Sequence, residues 1–141
     1  GKPVVAIADG AFSGKGFTGT LTLPSGLTSI GANAFNGVNF SGALTLPSGL
    51  TSIGANAFAN TTFTNLVMQS SSLTIGGSAF AGCAGLTGTL NLTGVTSVGN
   101  NAFEGCAGLT GTLDLTGVTS VGNNAFANCG LEQVLLRTAQ D

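Results

Sequence analysis

The sequence predicts a stacked solenoid, mainly β, and two observations carry that expectation. An Ala-Phe pair recurs at Phe12, Phe35, Phe58, Phe80, Phe103 and Phe126, at intervals of 22 or 23 residues from one end of the chain to the other. Repetition at such a period belongs to coils that stack on one another, and six copies exceed the roughly three that stacking requires. Between the pairs, apolar residues fall in fixed columns: Phe17, Leu21, Leu23, Leu27, Ile30 and Phe35 return as Phe40, Leu44, Leu46, Leu50, Ile53 and Phe58. All 141 residues are therefore read as one repeat domain phased on the six Phe. The first copy lacks the strand-like segment that precedes the later ones, so the expectation is a piece of a longer solenoid.

Within a coil, Thr20-Leu21-Thr22-Leu23 alternates with the period of two that suits a strand with one buried face. Its equivalents are Leu44-Thr45-Leu46, Leu66-Val67-Met68, Leu90-Asn91-Leu92, Leu113-Asp114-Leu115 and Val134-Leu135-Leu136. The pattern predicts a parallel sheet of about six short strands here, one per coil. A turn follows at Pro24-Ser25-Gly26 and Pro47-Ser48-Gly49, and at Thr93-Gly94 and Thr116-Gly117. The third interval differs in length only in turns, around Gln69-Ser70-Ser71-Ser72 and before Leu66 and Ile75, and keeps every apolar column.

The Ala-Phe segment is expected to form one short helical or 3-10 turn. Asn33, Asn56, Ser78, Asn101 and Asn124 stand two residues before each Phe, where a side-chain oxygen caps a free backbone N–H. Two residues after each Phe stand Gly14, Gly37, Asn60, Gly82, Gly105 and Asn128, residue types that accept the left-handed conformation. A second glycine column, Gly31, Gly54, Gly76, Gly99 and Gly122, has Ala8 in the first copy. That exchange argues against a required positive φ and for close backbone approach between coils.

The repeat unit Val95-Thr96-Ser97-Val98-Gly99-Asn100-Asn101-Ala102-Phe103-Glu104-Gly105-Cys106 resembles the BspA-like branch of leucine-rich-repeat proteins, from Val4 to about Leu136. The resemblance implies a curved leucine-rich-repeat solenoid on a bacterial surface or in the secreted fraction, engaged in adhesion to host proteins or other cells. It brings no catalytic or metal motif. Thr-Gly-Thr-Leu linkers depart from the common form, as do Lys15, Val38 and Thr61 in the column that elsewhere holds Cys83, Cys106 and Cys129.

Composition narrows the function further. Only 6% of residues are charged, and three cations with a net charge of −2 cannot neutralise a phosphate backbone or form a basic membrane patch. No apolar run reaches the roughly 18 residues of a membrane helix, and the chain shows no signal-peptide pattern. Histidine is absent, which removes Ser–His and Cys–His pairs, and the five carboxylates are scattered through different columns. The expectation is no enzyme, no cofactor and no metal. Cys83, Cys106 and Cys129 are read as a buried ladder, and the Phe column as core.

What remains is the outward face of the predicted strands, small and polar and taken as concave. Thr22, Thr45, Asn91, Asp114 and Arg137 are its candidate partner-binding residues. The expected partner is a protein or glycan at the cell surface; a structural spacer is the alternative, and ice binding through the Thr rows a remote one. Uncapped ends further predict either additional sequence or end-to-end self-association.

Overall fold

A computed structural model describes residues 2–136. In chain order the strands are β1 (Ala6–Ile7), β2 (Ser29–Ile30), β3 (Ala43–Leu46), β4 (Ser52–Ile53) and β5 (Asn65–Met68), followed by β6 (Leu73–Ile75), β7 (Val95–Val98), β8 (Thr112–Asp114), β9 (Ser120–Val121) and β10 (Gln133–Leu135). All pairings are parallel, as stacked coils demand. The predicted solenoid, one strand per coil in a parallel sheet, is what the chain forms.

The continuous sheet runs along a different flank from the one expected. β1, β2, β4, β6, β7 and β9 pair in that order into six strands, with Ile7, Ile30, Ile53, Ile75, Val98 and Val121 in register down one column. On the expected flank only β3–β5 and β8–β10 pair, and Thr20–Leu23 and Leu90–Leu92 carry no strand. Spacing along the chain does not explain the difference: Leu44 and Leu66, 22 residues apart, pair, while Leu21 and Leu44, 23 apart, do not. The third coil's insertion and deletions fall beside β5 and β6, leaving a register shift between Leu73 and Thr74.

The Ala-Phe segments are not helical: among the described residues there is no helix. Instead, alternate N–H groups point in two directions. Ala34, Asn36 and Val38 donate within the coil to Gly31, Asn33 and Phe35 at 3.2–3.3 Å, while Asn33, Phe35 and Gly37 donate to Ala55, Ala57 and Ala59 of the next coil at 2.8–2.9 Å. The carbonyls of Ala32, Ala34 and Asn36 accept from the preceding coil. A helix would turn every N–H along its own axis and leave the neighbours unmatched. Linked turns satisfy each group and bind the stack at the same time.

This also corrects the capping role. Gly10, Asn33, Asn56, Ser78, Asn101 and Asn124 all have φ between 56° and 67°, so the column holds residues that tolerate the left-handed region at the third position of a turn. The Asn33 side chain meets Asn36 Nδ2 at 3.1 Å, and Asn101 Nδ2 meets Glu104 at 3.0 Å; neither caps a backbone N–H. The column two residues after each Phe is left-handed as expected, with φ from 59° to 78°.

The core is a single cluster running the length of the stack. Phe12, Phe35, Phe58, Phe80, Phe103 and Phe126 stack face to face with ring centroids 5.2–5.4 Å apart. Phe17, Phe40 and Phe63 meet that column edge-on at 5.6–5.9 Å. Such pairs add about 0.5–1.5 kcal/mol each beyond the area they bury. The expected close approach at the second glycine column is present: a Cβ on Gly54 would lie 2.5 Å from Ala32 N, and one on Gly76 2.7 Å from Ile53 O.

Candidate functional site

Four of the five candidate residues lie on the flank where the ladder is interrupted, and they sort into two grooves. Thr22 and Thr45 line one of about 340 Å³ between Thr20–Ser25 and Ala43–Pro47. Asn91 and Asp114 line another of about 370 Å³ between Thr89–Thr93 and Thr112–Thr116. All four are exposed. Arg137 lies outside the described residues.

Asn91 and Asp114 have a local task as well. Asn91 Oδ1 accepts from the Thr93 N–H at 2.9 Å and from Thr93 Oγ1 at 2.7 Å, and Asp114 Oδ1 accepts from the Thr116 N–H at 2.9 Å. These bonds close the turns before Gly94 and Gly117, whose φ values are 87° and 88°. The same bonds hold the Asp114 carboxyl below its ordinary pKa. In the coils carrying Pro24 and Pro47 there is no N–H at that position to satisfy, and Thr22 and Thr45 stand where Asn91 and Asp114 stand later. The acceptor thus follows the donor.

The sequence reading passed over a second polar row. Ser29, Ser52, Thr74, Ser97 and Ser120 share a register on the continuous sheet. Beside them Thr28, Thr51 and Thr119 each donate Oγ1–H to a carbonyl of the preceding coil at 3.0–3.1 Å. The signal was the Ser or Thr before Ile30, Ile53, Ile75, Val98 and Val121, replaced by Ala6 only in the first coil, which marks the rungs of an unbroken ladder.

Cys83 and Cys106 are buried as expected, Cys129 is only half-buried, and all three thiols are free. Cys83, Cys106 and Cys129 each donate S–H to the carbonyl of Phe58, Phe80 and Phe103, at 3.1, 3.2 and 3.2 Å. Thr61, in the same column, donates to Phe58 O at 2.8 Å. Burial raises the pKa of all three thiols, that of Cys106 to about 12. Nucleophilic or metal chemistry needs the thiolate, which this setting disfavours.

The unfolded thiol ionises near 9.0 and the folded Cys106 near 12, so the unfolded chain alone loses its proton in that window. Stability is fully present below pH 9.0 and falls as pH rises toward about 12. Urea midpoints measured across that range are expected to decline for the native chain and to decline less for Cys106→Ala. Equal slopes would show that the thiol does not carry the effect.

Parallel coils with short strands, linked turns and a leucine-rich interior define a leucine-rich-repeat solenoid. The chain belongs to the BspA type leucine rich repeat region family, which matches residues 5–136 in six copies. The crystal structure of a T. pallidum leucine rich repeat protein superposes with a TM-score of 0.60 at 23% identity, covering 95% of this chain and 53% of that one. The pneumococcal vaccine antigen PcpA superposes at 0.51 with 21% identity, covering 93% of this chain and 35% of that one. The chain thus spans about half, or less, of the structures it resembles. Comparison with curated protein sequences gives no match.

Proposed function

We propose that the chain is a non-enzymatic interaction module, secreted or displayed at a cell surface, that binds a protein or glycan through the interrupted flank. The observation that carries this reading is the pair of polar grooves, where strands of neighbouring coils run side by side without pairing. There the N–H groups of Thr20–Leu23 and Thr89–Leu92 donate to no backbone carbonyl of a described residue, and of their carbonyls only that of Leu92 accepts a backbone bond, from Val95, so the others are open to a ligand together with the Thr, Asn and Asp side chains. Sugars and extended peptides recruit that mixture of donors and acceptors. Membership of the BspA type family supports the interaction role and the surface location; the two structural neighbours lend the fold alone. A spacer role is the second reading, favoured by the lack of aromatic or Arg anchors among the described residues of this flank.

A binding screen of the folded chain against matrix proteins, mucins and a glycan panel tests it, with an unrelated repeat protein as control. Thr45→Arg and Thr89→Arg fill the two grooves without removing a turn-forming acceptor. Each is expected to weaken binding at its own groove at least tenfold. Saturable binding untouched by both would move the site to another face, and no binding at all would leave the spacer reading.

A further inference from the structure

The segments Thr89–Thr93 and Thr112–Thr116 part over one short stretch, and their coils are bonded on both sides of it. Before the stretch, Gly88 N–H donates to Gly108 O at 3.2 Å and Thr110 N–H to Gly88 O at 2.9 Å, with Gly88 and Leu109 bridged in parallel. After it, β7 pairs with β9 and Thr119 N–H donates to Thr96 O at 2.8 Å. The groove between them is thus a slot of about 370 Å³ closed at both ends, near the lower limit of the ~300–1,000 Å³ typical of small-ligand pockets.

Most polar groups in the slot have hydrogen-bonding capacity left. The N–H groups of Thr89–Leu92 and the carbonyls of Thr89, Leu90 and Asn91 bond to no described backbone group. Asn91 uses Oδ1 for Thr93 and has Nδ2 free to donate; Asp114 uses Oδ1 for Thr116 and has Oδ2 free to accept. Thr89 Oγ1 reaches across toward Gly111, where a Cβ would lie 3.0 Å from it. Among the described strands β8 pairs with β10 alone, so its other edge borders the slot.

We infer that the slot takes one uncharged sugar residue of a glycan, a hexose or N-acetylhexosamine, bound by Asn91, Asp114 and the main chain of Leu90–Leu92. This rests on the interrupted flank being the binding face proposed above. A sugar ring carries hydroxyls on adjacent carbons that both donate and accept, which suits an amide donor and a carboxylate acceptor on facing walls. A peptide strand fits the slot poorly. It rises about 3.3 Å per residue and pairs along an edge that continues past its ends. Here it would run into the bonds at Gly88 and Thr119 after about four residues. Of the lining residues only Asp114 is charged, so a sialic or uronic acid would meet like charge. The groove at Thr22 and Thr45 offers hydroxyls and Gln69 but no carboxylate, which makes it an internal comparison.

Titration of the isotope-labelled full chain with galactose, mannose, N-acetylglucosamine and N-acetylneuraminic acid, followed by amide NMR, tests this. A neutral sugar is expected to shift the Leu90, Asn91 and Asp114 amides saturably, and N-acetylneuraminic acid to bind about tenfold more weakly. Asp114→Asn keeps an oxygen for the Thr116 N–H but loses the carboxylate. It is expected to weaken the neutral sugar about tenfold and to narrow its advantage over the acidic one. Thr89→Arg is expected to abolish the shifts, and Thr45→Arg to leave them unchanged. Shifts confined to the Thr22–Thr45 groove, or slot shifts caused by an extended Thr-rich peptide and by none of the sugars, would overturn the sugar assignment and leave the interaction module standing. Sugar binding that moves only amides on another face would overturn both.

Discussion

Replacing Phe80 with Ala is expected to lower the unfolding free energy by about 3–5 kcal/mol, the range for truncating a fully buried aromatic. Phe80 is 1% exposed and stacks on Phe58 at 5.4 Å and on Phe103 at 5.2 Å. The cavity has little freedom to collapse. Coils on either side are pinned by Phe58 N–H to Ala79 O and Phe80 N–H to Ala102 O, at 2.8 and 2.7 Å, so the rise per coil cannot shorten to fill the space. Phe12→Ala removes the same side chain from a site that is 37% exposed and has one stacked neighbour, and about 1–2 kcal/mol is expected from the smaller buried area. Urea unfolding of both variants checks the ordering. An equal cost at the two positions would mean that burial within the stack does not set stability.

The second large effect is expected at Gly99. An added Cβ would lie 2.6 Å from Gly77 N and 2.7 Å from Gly76 C, backbone atoms of the preceding coil that have no rotamer to retreat into. Gly99→Ala must therefore separate two coils that Gly99 N–H to Ile75 O holds at 2.8 Å, and overpacking of this kind costs about 2–3 kcal/mol. Gly26 is the control, because a Cβ there meets nothing within 4 Å. Gly26→Ala is expected to be neutral or to stabilise by up to about 1 kcal/mol through the unfolded chain. Thermal unfolding of the pair separates close approach from loss of backbone freedom; comparable destabilisation by both would sink the packing argument.

Much of this was legible before any coordinates. The six apolar columns, the left-handed column after each Phe, the glycine column of close approach and the burial of Cys83 and Cys106 all follow from residue type at a fixed period. They are local demands repeated in every coil, and each can be met by a narrow set of residues. The helical turn at the Ala-Phe segment was misjudged because Asn before and Gly after an apolar pair suit a capped helix and a chain of linked turns equally well. What separates the two is the destination of the Asn33 and Phe35 N–H groups, which lies in another coil.

The candidate site divides in the same way. Sequence brought Thr22, Thr45, Asn91 and Asp114 to one outward flank, because alternation fixes which side chains leave the core. It could not show that the flank opens into two grooves, or that Asn91 and Asp114 spend an oxygen on their own turns. The repeat period by itself determined the coil, its interior and its number of copies, since each depends on contacts a single coil can specify. Which flank carries the unbroken sheet was decided only in the tertiary structure, because pairing depends on how closely the backbones of neighbouring coils approach and not on their spacing in sequence: Leu90 and Leu113, 23 residues apart, stay unpaired, while Leu44 and Leu66, 22 apart, pair.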